Sequence, residues 1–387
     1  MIQQKDTRLV DTTSMHSRGV RRAVPALTWT VILLITQPEL SAVLAQSEQL
    51  TQRMIPIPHP MTSLLRSPGI QRELGLSLDL AEDVEQAVDT VDQPLWRLRD
   101  LAPEKRNDQV FMHLNQLKRR LSEVLTAQQR ERLNQIVWQA LGLDALLEPE
   151  VITRLRLSND QTNTIGALLN GAYQRVGKAR LNTQIRSAST RQTHIQQIQT
   201  DTHQQITAVL NSLQQHAFTR LLGQRVNLSQ VRGIACKAPD IQADTWINSK
   251  PIELSELKGK VTAVHFYAYG CGNCVRSLPY YNDWHKQFNT DTFAIVGIHR
   301  PESDGERDIE RVKKKAAQAQ VEHPIAIDND SLAWNAWGNH TWPTTYLIDK
   351  QGHVRYWWYG ELNWQNNGSE QYLRNLIQSL LREPAEG

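Results

Sequence analysis

Cysteine is scarce in this chain, with three residues in 387. So few exclude a disulfide-stapled scaffold and a zinc site built from cysteine alone. A charge excess is missing too. Lys and Arg total 43 against 40 for Asp and Glu, and a net charge of +3 gives no general reason to bind nucleic acid. The first apolar run, AVPALTWTVILLIT at 23–36, is shorter than the ~20 residues that span a bilayer. Collagenous, coiled-coil-only and polytopic membrane architectures are excluded. What remains, 40% hydrophobic and 21% charged residues, is the composition of a soluble globular protein, long enough for two or three domains.

Arg18, Arg21 and Arg22 precede the apolar run, and Val43-Leu44-Ala45 stands before Gln46. A basic start, a short apolar stretch and small residues predict a cleaved secretory signal over 1–45. A buried N-terminal helix and an uncleaved signal anchor are the competing readings. No cysteine follows the cleavage point, which argues against a lipid anchor. The mature chain is expected in a periplasmic or other extracytoplasmic compartment, with no stable membrane span. There, cysteine pairs either do redox chemistry or lock folds.

Aromatic residues divide the chain. Only six of its Trp, Tyr and Phe residues precede Cys236. Between residues 71 and 232 the sequence is rich in Gln, Arg and Leu, with apolar residues at helical intervals, so this half is predicted all-helical. A weak repeat runs through it: Leu125, Gln129 and Leu133 recur in kind as Leu157, Gln161 and Ile165, then as Leu210, Gln214 and Phe218. Thr126, Ser158 and Asn211 follow each leading leucine as candidate helix caps, and a fainter copy starts at Leu76-Ser77. The stretch 46–70 carries Pro56, Pro58, Pro60 and Pro68 and is predicted as a linker.

From residue 237 to 387 strands alternate with helices. The run 261–269 suits a buried strand, followed by a helix to about Gln287, a strand over 293–299 and a charged helix from about Asp304 to Gln320. PIAIDND is a further strand, TTYLID and HVRYWWYG form a hairpin, and EQYLRNLIQSLL is a last helix. A βαβ unit followed by a hairpin and helix is the order of a thioredoxin-like α/β domain.

Cys271-Gly272-Asn273-Cys274 follows the first strand and opens a helix. A helix N-terminus favours thiolate at its leading cysteine. Residues three apart share a helix face, within disulfide reach. Gly272 admits a partner backbone over the attacking sulfur. Cys271 is expected to attack a disulfide and Cys274 to resolve the mixed species. The uncharged Gly-Asn pair points to a reductant or moderate oxidant. A static disulfide, or half of a metal site completed by Cys236 or a histidine, are the alternatives.

Ala238-Pro239-Asp240, Trp246-Ile247-Asn248, the CGNCVRSLPY segment, Val296 to His299, His323-Pro324-Ile325 and Trp342-Pro343-Thr344-Thr345 together resemble the thioredoxin domain of DipZ-type proteins, within the TlpA-like family. The likeness spans roughly residues 237–382. It implies a thioredoxin fold and an extracytoplasmic thiol–disulfide oxidoreductase. Its partners would be protein thiols and disulfides and an upstream membrane electron donor, with no cofactor beyond a Cys271–Cys274 disulfide. Pro343 matches the family's cis-proline, so the backbone of Trp342 and Thr344 is implied to receive an extended substrate segment beside Cys271, Gly272 and Asn273. The short repeats of the helical half resemble periplasmic stress proteins of the LTxxQ type. That half is a scaffold or oligomerisation unit, or a chaperone-like binding module to which the redox domain is accessory.

Six residues before Cys271, where the family carries a buried acid, this chain has His265. It is either a base for Cys274 or a core histidine satisfied by a hydrogen bond. His299 and Glu302, after a strand that ends near the site, either orient substrate and move protons or are solvated loop residues. Cys236 is placed in the linker before the domain, as a bystander or a regulatory thiol. The tryptophans at 334, 337, 342, 357, 358 and 364 are assigned mainly to packing. Peroxide reduction is disfavoured, because Val264 and Ala268 occupy the positions at which peroxiredoxins carry Pro and Thr.

Overall fold

A computed structural model describes residues 55–181, 187–288 and 290–384. The signal expected at 1–45 lies outside them. Among the described residues no helix is long and apolar enough to cross a membrane.

The first half is all-helical: α1 (Pro60–Leu65), α2 (Pro68–Glu73), α3 (Leu78–Arg97), α4 (Pro103–Val124), α5 (Ala127–Leu141), α6 (Pro149–Leu155), α7 (Asn159–Leu181), α8 (Ala188–Val209) and α9 (Ser212–Leu222). The repeat is a device for starting helices. Thr126 accepts from Gln129 N while Gln129 Oε1 accepts from Thr126 N, and Asn211 and Gln214 do the same. Ser158 and Gln161 exchange the same two bonds, each 3.1 Å. Each box satisfies two backbone or cap groups that the first turn leaves open. The amide nitrogen of each glutamine then reaches away: Gln129 to Leu74 O, Gln161 to Val209 O. Gln161 and Gln214 also pair amide to amide, at 2.8 and 3.1 Å. The leading leucines, 125, 157 and 210, are buried.

The linker expected over 46–70 is corrected from residue 55 onward. Pro60 and Pro68 are the first residues of α1 and α2, where the missing N–H costs nothing, so the prolines start helices here. Ile55, Met61, Leu64, Leu65 and Ile70 lie within the main core of the helical half.

The second half is a seven-stranded mixed sheet in the order β1-β7-β6-β3-β4-β5-β2. Its elements are β1 (Cys236–Lys237), β2 (Trp246–Ile247), β3 (Val261–Tyr267), α10 (Gly272–Gln287), β4 (Phe293–His299), α11 (Ile309–Gln318), β5 (Ile325–Ile327), α12 (Leu332–Ala336), β6 (Thr344–Ile348), β7 (His353–Tyr359) and α13 (Ser369–Arg382). β3, β4 and β5 run parallel, and β6 returns antiparallel beside β3. The charged helix begins at Ile309, not 304, because Asp308 caps it with two backbone bonds. Alternation along β3 sends Val261, Ala263 and Tyr267 to the face covered by α10 and α13. Val264 and Phe266 go to the other face, against Trp334, Trp337 and, from α3, Trp96. This architecture is a thioredoxin-like domain behind an all-helical region.

Cys236 is corrected as well. It lies in edge strand β1 opposite Val354, fully buried, and not in a linker. Three strand intervals separate β1 from β3, about 14 Å at the usual ~4.8 Å spacing.

Candidate active site

Cys271 is the N-cap of α10 and Cys274 lies within its first turn. Cys271 is half-buried and Cys274 fully buried. The Cys274 thiol donates to the Cys271 sulfur, and the backbone N–H groups of Cys274 and Asn273 add to it. Against opposition from burial and from the charge of Glu302, these donors bring Cys271 down to about 7. Burial first, then the bond to Cys271, pushes the Cys274 thiol far above the ordinary thiol range. One sulfur is thus a ready thiolate near neutrality while its neighbour keeps its proton.

The loop before β6 faces this turn. Thr344 pairs with Phe266, one residue short of the end of β3, so Pro343 lies across from the point where the chain leaves for Cys271. The Trp342–Pro343 bond is cis, and Gly360 N donates to Pro343 O at 2.8 Å. Trp342 stacks on Trp334 with centroids 4.3 Å apart, donates Nε1 to Arg300 O, and lies under the Arg300 guanidinium. Thr344 turns its hydroxyl inward to Thr341 O and is paired on both sides, with Phe266 of β3 and Tyr359 of β7, so its backbone is taken up within the sheet. Gly272 and Asn273 are exposed, and Asn273 Oδ1 accepts from Arg276, itself bound to Glu361.

Residues 234–357 match the model of the AhpC/TSA family. They form a thioredoxin-like domain of that family. Protein DipZ of Mycobacterium tuberculosis is 36% identical over 154 residues, 39% of this chain and 21% of that protein. The thiol-disulfide oxidoreductase YkuV of Bacillus subtilis is 28% identical over 111 residues, 29% of this chain and 74% of YkuV. This chain therefore spans about a fifth of DipZ. A solved thiol-disulfide isomerase from Corynebacterium glutamicum aligns with a TM-score of 0.34 at 22% identity, over 38% of this chain and 98% of that one.

Within the thioredoxin-like domain, His265 is fully buried on β3. Its Nε2 lies 2.8 Å from Nε2 of His323, and its ring stacks on Tyr281 at 4.1 Å. Burial, then the charge of His323, holds it neutral, and burial lowers His323 to about 3. His299 is corrected: it is the last residue of β4, fully buried, and not a solvated loop residue. It accepts from Tyr269 N at 3.4 Å, stacks on that ring, and is lowered to about 4 by burial. Glu302 is exposed, yet its charge acts on both sulfurs.

Sequence reasoning missed three groups in the domain. Glu306 is buried, accepts from Gly270 N at 3.4 Å, and occupies the space a Cβ at Gly270 would need, 2.6 Å away. Tyr281 lies beside Cys274 and bonds Thr345 at 2.7 Å. His323, the third, had no local signal. Of the predicted tryptophans, 334, 337 and 358 are buried, while Trp364 is exposed. The metal alternative loses Cys236, which lies in a different core cluster from Cys274. Among the described residues no group of three or more His, Cys, Asp and Glu could hold a metal.

Proposed function

We propose that the chain is an extracytoplasmic thiol–disulfide oxidoreductase that reduces or exchanges disulfides in protein substrates through the Cys271–Cys274 couple. The observation that carries this reading is the half-buried Cys271 at the N-cap of α10 with the fully buried Cys274 in the same first turn. The Cys271 thiolate attacks one sulfur of a substrate disulfide, forming a mixed disulfide and expelling the other sulfur as thiolate. Cys274 then attacks Cys271, releasing the second substrate thiolate, and its proton leaves with that group. Two electrons pass to the substrate and the chain keeps a Cys271–Cys274 disulfide, which an upstream membrane donor would reduce.

The backbone of Trp342, just ahead of the paired residues of β6, receives the substrate as an added extended segment, whereas Thr344 is already paired on both sides. His265 takes a positioning part: held neutral by burial, it supports the Tyr281 ring beside Cys274 and is a poor acceptor for that thiol's proton. Export rests on the basic and apolar pattern of residues 1–45. The test is insulin disulfide reduction by Cys271→Ser, expected to be lost, whereas unchanged turnover overturns the reading. The reduction potential of the couple then fixes the direction of electron flow.

A further inference from the structure

The end of α3 carries the helical half into the core of the redox domain. Trp96 is buried in the domain's second core, 1% exposed, with its edge toward Trp357 at 5.0 Å and its Nε1 donating to Trp337 O at 2.9 Å. Three residues on, Arg99 stacks over the Trp96 ring at 3.9 Å and is 6% exposed. Its guanidinium donates to the carbonyls of Trp337 at 3.2 Å and Gly338 at 2.9 Å, and to the hydroxyls of Tyr346 at 3.0 Å and Tyr359 at 2.8 Å. Asp100 accepts from the same Tyr359 hydroxyl at 2.5 Å.

These partners bracket the loop that carries Trp342 and Pro343. Trp337 and Gly338 are its first residues, just past the end of α12, where helix carbonyls are left open and attract a cation. Tyr346 lies in β6 directly after it. Tyr359 pairs with Thr344, and the next residue, Gly360, holds Pro343 O. The fit is close from both sides. Gly338 has φ +61°, and a Cβ there would meet Arg99 Nη1 at 2.8 Å and the α3 backbone at Arg97 Cα at 3.3 Å. A forked, fully engaged guanidinium fixes geometry in a way a lysine cannot.

We infer that Arg99, seated on Trp96, is a positioning residue for substrate capture: the helical half sets the shape of the loop onto which a protein disulfide docks. The inference rests on the oxidoreductase reading above. It makes the grip on protein substrates depend on a side chain outside the thioredoxin-like domain, while Cys271 itself is set by local bonds in α10.

The test uses the full chain and compares insulin reduction with alkylation of Cys271 by iodoacetamide. Arg99→Ala should raise KM for insulin about tenfold with a smaller change in kcat, since displacement of a substrate-positioning element is felt strongly. The alkylation rate and its pH profile should stay as in wild type. Arg99→Lys should recover only part of the loss. Tyr359→Phe, which removes one hydroxyl and keeps the ring, should raise KM in the same direction by a smaller factor, and it stands in if Arg99→Ala does not fold. Wild-type KM in a folded variant at both positions overturns the inference, as does an equal loss of alkylation and insulin reduction. If Cys271→Ser retains turnover, the oxidoreductase reading itself has failed, which separates the two outcomes.

Discussion

His265 and His323 face each other Nε2 to Nε2 across 2.8 Å, in a core that buries both rings completely. One imidazole must donate and the other accept, which two neutral rings satisfy, and burial penalises a charge on either ring. In an unfolded chain each would titrate near ~6.5. Folded, His323 is held down to about 3 and His299 to about 4 by burial, and His265 is pushed in the same direction. The unfolded state therefore binds more protons at mildly acid pH. The stability of the neutral pair is full above pH ~6.5 and is lost progressively as pH falls toward the folded values. The thermal midpoint should drop steadily from pH 7 to 5. His323→Leu alone strands a buried nitrogen of His265 and should cost ~1–3 kcal/mol. The His265→Leu/His323→Leu double variant strands nothing, so it should lose less than the two single costs combined and show a flatter pH dependence. A midpoint independent of pH in this range would contradict the neutral pair.

Cys271 should be alkylated by iodoacetamide with a midpoint near pH 7, since its sulfur is brought to about 7 by the Cys274 thiol. Below that pH the rate falls as the thiolate takes a proton. Cys274→Ala removes the donor and should move the midpoint upward, toward the ordinary value of 9.0. Glu302→Gln removes a charge that disfavours the thiolate and should move it downward. Because Glu302 is exposed, that second shift should shrink as salt is added. A wild-type midpoint near 9 would remove the hydrogen bond from the account.

The amide pair of Gln161 and Gln214 should tie two helix starts into one unit. Gln161→Ala removes the acceptor for Ser158 N as well as the bond to Val209 O, and should lower stability by ~1–2 kcal/mol in urea unfolding. Gln214→Ala should do likewise, and the double variant should cost less than the sum because the shared bond is lost only once. Full additivity would mean the two caps act alone.

Local chemistry was the legible part of this molecule. The strand before Cys271 announces itself by the apolar and aromatic run 261–269, of which 261–267 form β3, and the CGNC turn by its place at a helix start. Caps at Thr126, Ser158 and Asn211 were readable because both partners lie three residues apart. What sequence alone did not yield is whatever depends on contacts across the chain. His323 is 58 residues from the ring it pairs with, and Trp96 is 241 residues from the carbonyl it bonds. Glu306 looked like one more acid in a charged run, with nothing to mark it as the group beneath Gly270. The prolines at 60 and 68 misled for a different reason: the residue that breaks a helix interior is also one that begins a helix well, and only packing of Met61 and Leu65 decides between the two.

Cys236 lies sealed at the far edge of the sheet, its thiol pushed well up by burial and its neighbour Lys237 anchored through its backbone N–H to Asp92 of α3. For anyone fishing for clients, this leaves a convenient bait. A chain carrying Cys274→Ala presents one sulfur to the outside, so whatever protein it hooks hangs from a single known bond at residue 271.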